Sequence, residues 1–358
     1  MIPGLDIKHV VVEEGAAEHG FGRRILDRLP PGLAQRADPG PGRSGAKDTL
    51  YLLPHQGAFL KPCPGTREYI CCGYQILHVG TDCPLGCSYC ILQSYLSKPG
   101  LRVFSNLEEG VDRALRTVDS SPQQIFRVGT GEFTDSLALD PLTGWSGLLV
   151  PKFSVRKNAV LELKTKTDRI NELLRLPFRD RIVVSWSLNS PHVAAREEHG
   201  APSVRKRLQA ASRCQREGFV VGFHFDPLIC HPQWREGYQR TLELLDRYIK
   251  PQRVIWISLG SLRFMPELKV LIRRRHPGSR ILDGEFIKGL DGKMRYFRPI
   301  RAGLYAFLAG NLRKWHANPG LYLCMESDEV WREGLGWSPR DSEGLSAYLD
   351  GRVREIFG

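Results

Sequence analysis

The sequence has no apolar run long enough to cross a bilayer as a helix, and its first residues, Met1 to Lys8, lack a basic stretch leading into an apolar one. Neither a membrane span nor a secretory leader is expected. An even cysteine framework is missing too. Nine cysteines in 358 residues argue for reduced thiols and a metal site rather than a set of disulfides, and so for a reducing, cytoplasmic setting. No internal repeat is found, and the single biased stretch, Gly32 to Gly45, is rich in Gly, Pro and Arg and reads as a loop or linker. A hydrophobic fraction of 42% excludes a disordered chain.

Acidic residues are in deficit. With 51 Lys and Arg against 39 Asp and Glu, the formal net charge is +12, which points to a polyanionic partner. The basic groups fall at Arg23-Arg24, Arg205-Lys206-Arg207, Arg273 to His276 and Lys293 to Arg301. Each short run is also what a solvated helix face looks like.

The cysteines that are present concentrate in Thr81-Asp82-Cys83-Pro84-Leu85-Gly86-Cys87-Ser88-Tyr89-Cys90. CxxxCxxC gathers three thiolates around one point and leaves a fourth ligand position open, which suits a four-iron cluster with one iron free to bind a small molecule. A zinc site completed by Cys63, Cys71 or Cys72 is the alternative, although zinc favours paired CxxC knuckles.

From Tyr74 onward, strands and helices alternate. Apolar runs predict strands at Tyr74 to Val79, Ile125 to Val128, Val160 to Leu163, Ile182 to Trp186, Val220 to Phe225 and Val254 to Ile257. Helical spacing marks Leu107 to Thr117, Arg205 to Arg216, Trp234 to Tyr248 and Pro266 to Arg275. Alternating units predict a parallel sheet, curled or closed into a barrel, with its site on the loops after the strand C-termini. The cysteine run directly follows the first of those strands. The first sixty residues read as an independent lead-in with a short strand at Thr49 to Leu53. After Arg280 the alternation is expected to stop. Asp291-Gly292 there predicts a basic aromatic hairpin within Gly289 to Tyr305, then a last strand at Leu321 to Leu323 and a last helix at Asp328 to Glu333.

CxxxCxxC with an aromatic before its last Cys resembles the signature of radical S-adenosylmethionine (SAM) enzymes. The resemblance implies an α/β fold: a partial (β/α)6 barrel over residues 71–280, an N-terminal αβ extension over 1–70, and a C-terminal hairpin and helix extension over 281–358. It implies a 4Fe-4S cluster on Cys83, Cys87 and Cys90, with SAM bound to its free iron and cleaved to a 5′-deoxyadenosyl radical. Gly129-Thr130-Gly131-Glu132, after the second strand, resembles the motif that meets the methionyl ammonium, with Gly131 and Glu132 as its working residues. Lys166 follows the third strand and Ser187 with Asn189 ends the fourth, where they can serve the methionyl carboxylate and the ribose.

Cys90 to Gln93, Thr165-Lys166, Ser187 to Ser190, Trp234 to Tyr238, Arg263 to Pro266 and Arg275 to Pro277 narrow the resemblance to the spore photoproduct lyase family. These enzymes repair a thymine–thymine adduct in DNA. The resemblance implies that Tyr89 lies beside the cluster and that an electron donor such as flavodoxin or ferredoxin is needed. It also implies that the hairpin enters damaged DNA, with Lys293, Arg295, Arg298 and Arg301 on phosphates and Tyr296 or Phe297 as wedge.

Two positions depart from the family. Its hydrogen-donating Cys after the second strand has no counterpart in Gly129 to Asp135, and a Tyr after the last cluster Cys is Ile91 here. Cys230, after the fifth strand, is the leading replacement donor, ahead of Cys71, Cys72 and Cys324. Cys63 and Cys214 read as structural. Two other readings stay open: radical SAM chemistry on a different nucleic-acid lesion or modification, and a non-enzymatic DNA-binding protein with a structural metal.

Overall fold

The structure, a computed structural model, describes residues 5–35, 47–96 and 100–358. Most of the expected Gly32 to Gly45 linker therefore lies outside the described residues. The chain divides into two compact units that interleave in sequence. Met1–Cys63, Tyr74–Leu85 and Tyr95–Ile182 form the first, and Pro64–Gly73, Gly86–Ser94 and Val183–Gly358 the second. The sequence segments 1–70, 71–280 and 281–358 are a division of a different kind.

In the first unit, β1 (His9–Val12), β2 (Thr49–Leu53) and β4 (Leu101–Phe104) run parallel in one sheet, closed at one edge by Gly80–Thr81 antiparallel to β4. The N-terminal strands are thus not an independent lead-in: β2 pairs residue for residue with β4, which lies beyond the cysteine run. A second sheet holds β3 (Gln75–Leu77), β5 (Phe126–Gly129) and β6 (Ala159–Thr165) in parallel. All of β6 except Lys164 is buried, and the near-continuous apolar run of Ala159, Val160, Leu161 and Leu163, interrupted by the buried Glu162, suits a parallel strand covered on both faces. Helix α1 (Leu107–Asp119) buries Leu107, Val111, Ala114, Leu115 and Val118 at helical spacing.

In the second unit, β7 (Ile182–Ser187), β8 (Val220–Leu228), β9 (Val254–Ser261) and β12 (Leu321–Leu323) are parallel neighbours in that order. Every residue of β7 and β9 is buried. Beyond α2 (Trp145–Ser154) of the first unit, α3 (Pro191–Glu197) follows β7, and α4 (Val204–Arg216), α5 (Trp234–Tyr248) and α6 (Pro266–Arg275) fall where the sequence predicts them.

Beyond Arg280 the structure revises the expectation. A hairpin does form, from β10 (Phe286–Lys288) and β11 (Met294–Tyr296), with Arg263–Phe264 as a third strand on β11. It ends at Tyr296, because Pro299 sits in the first turn of α7 (Arg298–Trp315), an 18-residue helix. The βα alternation resumes there, since α7 leads into β12. Helix α8 (Asp328–Leu335) is followed by α9 (Ser342–Phe357), so the helix expected last is not the last. Among the described residues no helix is long and apolar enough to cross a membrane.

Candidate active site

The cysteine run passes from the first unit into the second after Leu85, and each part is built by its own unit. In the first unit Asp82 takes a left-handed φ of 68°, and its carboxylate accepts the Cys83 N–H at 2.7 Å and the Gly100 N–H at 3.1 Å. Those two bonds fix the turn that presents Cys83.

The loop after β5 is docked on the end of β6. Asp135, a residue the sequence reading passed over, accepts from the N–H groups of Leu137 and Ala138, from Thr165 Oγ1 at 2.6 Å and from the Lys166 N–H at 2.7 Å. Its position two residues after Glu132-Phe133 in a Thr-Asp pair, a common loop-closing dipeptide, was the available signal. Lys166 is therefore placed through its backbone. Glu132 lies 3.5 Å from Lys164 Nζ, so Lys164 is its partner within the protein. Glycine is required at both motif positions: a Cβ on Gly131 would stand 2.8 Å from Lys164 Cβ, and one on Gly129 would overlap the Tyr74 hydroxyl at 1.5 Å. Arg169, also missed from sequence, donates to the Ala138 carbonyl at 2.7 Å. Burial lowers its pKa, while the charges of Asp135, Asp168 and Cys83 around it act in the opposite sense.

An aromatic stack stands behind this loop. His78, directly after β3, lies 4.6 Å from the Phe133 ring and 5.7 Å from Phe104, and Phe104 stacks on His55 at 4.4 Å. Burial, with His55 and Lys61 nearby, lowers the His78 pKa to about 4. The imidazole is neutral at pH 7.

In the second unit Gly86–Cys87 pairs antiparallel with Glu198–His199. Cys87 is buried and Cys90 half-buried, with the Cys90 N–H donating to the Cys87 carbonyl at 3.2 Å. Tyr89 is buried and its hydroxyl donates to Glu198 Oε1. Glu198 in turn meets the fully buried Arg207 at 2.5 Å, and Arg207 donates to the Ser187 carbonyl at 3.1 Å. Burial, then the Glu198 carboxylate, push the Tyr89 phenol well above its ordinary pKa, so it stays protonated. Ser88 and Ser279 both donate to Glu197, and Gln93 donates to the Ser88 carbonyl at 2.8 Å. The turn that carries Cys87 and Cys90 is held on all sides.

Ser187 is buried at the end of β7. Asn189, expected beside the ribose, is 1% exposed and committed elsewhere: its amide donates to the Pro227 carbonyl, and its oxygen accepts from Tyr238 and from the Ser190 N–H. It ties the segment after β7 to the last residues of β8 and to α5. Cys230 is half-buried with its N–H donating to Tyr296 Oη at 3.2 Å. It lines a cavity of about 790 Å³ with His192, His231, Glu197 and Arg240. Burial raises the Cys230 pKa and keeps the thiol protonated.

The hairpin differs most from expectation. Arg295 is 1% exposed, donates to Asp291 at 2.6 Å and to the Met325 carbonyl at 2.9 Å, and lies 4.1 Å over the Tyr69 ring. Lys293 Nζ is 3.1 Å from Asp291. Tyr296 is fully buried and stacked on Phe286, and Arg301 is buried against Glu326 at 3.0 Å. Arg295, Tyr296 and Arg301 are therefore corrected from DNA contacts to hairpin supports, because buried carboxylates and rings inside the protein already occupy them. Arg298 remains outside, 3.5 Å from Glu333. The outward apolar residues are Leu290 at 78% exposure, Ile287 at 48% and Phe297 at 42%.

Among the described residues no three His, Cys, Asp or Glu side chains group to hold a single metal ion. The donor set of Cys83, Cys87 and Cys90 is three thiols, the ligand chemistry of an iron–sulfur cluster.

Known proteins can now be set beside this geometry. The sequence model of the family described as "Spore photoproduct lyase" matches residues 71–296. The spore photoproduct lyase of Bacillus subtilis is 29% identical over 84% of this chain and 89% of its own length. That of Clostridium acetobutylicum is 21% identical over 81% and 88%. A solved spore photoproduct lyase double mutant with bound AdoMet and dinucleoside spore photoproduct has a TM-score of 0.79 at 23% identity, covering 90% of this chain and all of that one. Another, complexed with dinucleoside spore photoproduct, has a TM-score of 0.77, also at 23% identity. The likeness establishes the expected fold class, a mixed α/β fold with a curled parallel sheet of the half-barrel kind. With a family match over more than half of its length, the chain belongs to the spore photoproduct lyase family.

Proposed function

We propose that this protein is a radical SAM carbon–carbon lyase that repairs spore photoproduct, a thymine dimer, in DNA. The observation that carries the reading is the CxxxCxxC run set on two hydrogen-bonded turns within a chain of this family. Cys83, Cys87 and Cys90 would hold a 4Fe-4S cluster. When bound, cluster and SAM supply an electron and a primary carbon radical able to remove a hydrogen atom from the lesion.

The chain's own residues supply placement and protons. Glu132 and Lys164 offer one group of each sign at the end of β5 and β6, suited to the two charged ends of an amino acid. Lys166, its backbone fixed by Asp135, and Ser187, buried at the end of β7, stand on strand C-termini where such barrels build their sites. Tyr89 holds its proton beside Cys87 and Cys90. Cys230 returns the hydrogen atom, supported by its neutral thiol, its place on a cavity and the absence of a Cys in Gly129 to Asp135. On DNA the exposed Leu290 and Ile287 act as the wedge, a role leucine and isoleucine fill where duplexes are kinked. The electron comes from a small redox protein such as flavodoxin or ferredoxin, in the cytoplasm.

The test is anaerobic reconstitution with iron, sulfide, SAM and dithionite on an oligonucleotide carrying spore photoproduct. Thymine restoration that is lost in Cys83→Ala, Cys87→Ala or Cys90→Ala is expected. Iron uptake with SAM cleavage but no thymine would refute this substrate. Deuterium carried from another nucleotide into 5′-deoxyadenosine would name the substrate instead.

A further inference from the structure

Most basic residues of the hairpin are answered within the protein, and those of α6 are not. The helix carries Lys269, Arg273, Arg274 and Arg275, all exposed, against a single carboxylate, Glu267, in its first turn. Among the described residues none of those four cations pairs with a carboxylate. Cations in a last turn complement the helix dipole, but that local effect does not call for three in succession. Val270 stands among them at 67% exposure, with Lys269 beside it and Arg273 and Arg274 three and four residues on, on the same face. An apolar residue ringed by exposed cations has the make-up of a protein docking surface, apolar at its centre and charged at its rim. A row of phosphates would call for the cations alone.

Side-chain ties hold the end of this helix on the turn that carries Cys87 and Cys90, all within the second unit. Arg275 donates to Gln93 Oε1 at 3.2 Å, and the Gln93 amide donates to the carbonyls of Cys87 at 3.3 Å and Ser88 at 2.8 Å. The path from Arg275 to the Cys87 backbone is therefore two hydrogen bonds long. His276, the next residue, stacks on His199 with ring centres 5.5 Å apart, and His199 pairs with Gly86 of the cysteine run. Ser279 and Ser88 donate to the same oxygen of Glu197. The charged face of α6 is thus fixed beside the cysteine turn.

We propose that the exposed face of α6, Val270 with Lys269, Arg273 and Arg274, is the docking surface for an acidic electron-carrier protein. The inference rests on the reading of Cys83, Cys87 and Cys90 as cluster ligands. An electron must then enter from outside, and because electron transfer weakens steeply with distance the carrier has to seat its own cofactor close to the cysteine turn. Attraction between an acidic carrier and these cations speeds the encounter and is screened by salt. Contacts of this kind are small, as a carrier that must leave again requires. The carrier is oxidised by one electron and the cluster reduced by one, with no bond made and no proton moved. Arg275 stands apart from the docking set, since its guanidinium is engaged by Gln93.

The experiment does not depend on lesion repair. Anaerobically reconstituted full-length protein is compared with the double variant Arg273→Glu, Arg274→Glu, which leaves Arg275 on Gln93. Binding of oxidised flavodoxin is titrated at low salt, and bleaching of the cluster's visible absorbance is followed on mixing with photoreduced flavodoxin or with dithionite. Flavodoxin affinity and flavodoxin-driven bleaching should both fall at least about tenfold, and added salt should bring the native protein toward the variant. Dithionite, which needs no docking surface, should bleach both alike and so report an intact fold and cluster. The proposal is overturned if flavodoxin reduces the variant as fast as the native protein, or if the loss appears instead in affinity for duplex carrying spore photoproduct, which assigns the patch to DNA. Should the double variant lose dithionite bleaching, Val270→Asp decides by the same comparison. A native protein that forms no cluster absorbance would overturn the cluster reading, and this inference with it.

Discussion

Glu198 carries two burdens at once, accepting the Tyr89 phenol on one oxygen and meeting the Arg207 guanidinium on the other, all three side chains buried. Replacing it by alanine leaves Arg207 buried without a counter-charge, which costs about 3–5 kcal/mol. Tyr89→Phe removes one neutral donor and costs about 1 kcal/mol. Urea unfolding of the two variants should show that separation, and equal losses would mean that Arg207 finds another partner. His78 gives a pH signature. Its folded pKa of about 4 lies below the ordinary 6.5, so the unfolded chain binds the proton more readily. Stability is then full above pH 6.5 and falls as the pH drops toward 4, by at most about 3 kcal/mol for a group that keeps some solvent contact. His78→Phe should flatten the urea midpoint across that range; an unchanged slope would assign the loss to other groups.

At the scale of elements, the hairpin separates support from contact. Asp291 is drawn upward by burial but held below its usual pKa by Arg295 and Lys293. Asp291→Asn should therefore loosen the hairpin above pH 4, seen as faster amide exchange in β10 and β11, with the difference closing as the pH falls below that carboxyl's range. Leu290→Asp should leave exchange unchanged and weaken lesion-DNA binding about tenfold, because an exposed side chain is changed without touching a support. If both variants affect exchange alike, the tip is structural. The same elements show what a sequence discloses. Strands β6, β7 and β9 were legible because burial on both faces favours near-continuous apolar runs. The fate of Arg298 to Tyr305 was not: its aromatic and basic residues suit a strand or a helix, and the helix wins where Pro299 can occupy a first turn. Helix α9 contains Gly344 and Gly351, which weaken a helical pattern read without tertiary packing. Cysteine spacing is local and could be read; the burial of Arg295 and Arg301 depends on Asp291, Tyr69 and Glu326, whose placement is set by folding.

For the whole molecule, the net charge of +12 overstates the hairpin's capacity to grip a polyanion. Lys293, Arg295 and Arg301 are answered by carboxylates within the protein. DNA affinity should lose about 0.9 logarithmic units per tenfold rise in salt for each phosphate truly neutralised. Arg298→Gln should reduce that slope by about one, whereas Arg295→Gln should act through stability and leave the slope unchanged. A slope that drops in both would place Arg295 at the phosphates after all.

The bonds of Asp291 to both Lys293 and Arg295, with Tyr69 beneath Arg295 and its hydroxyl accepting the Leu290 N–H at 3.1 Å, have a further effect. They settle the shape of the turn before any ligand arrives. The disorder a flexible arm would have to surrender on meeting a duplex, about 1–2 kcal/mol for each residue fixed, is already gone when the chain folds. Leu290 is carried on a stiff prong, so in the proposed wedge role the free energy of encounter would go into separating bases rather than into ordering the prong.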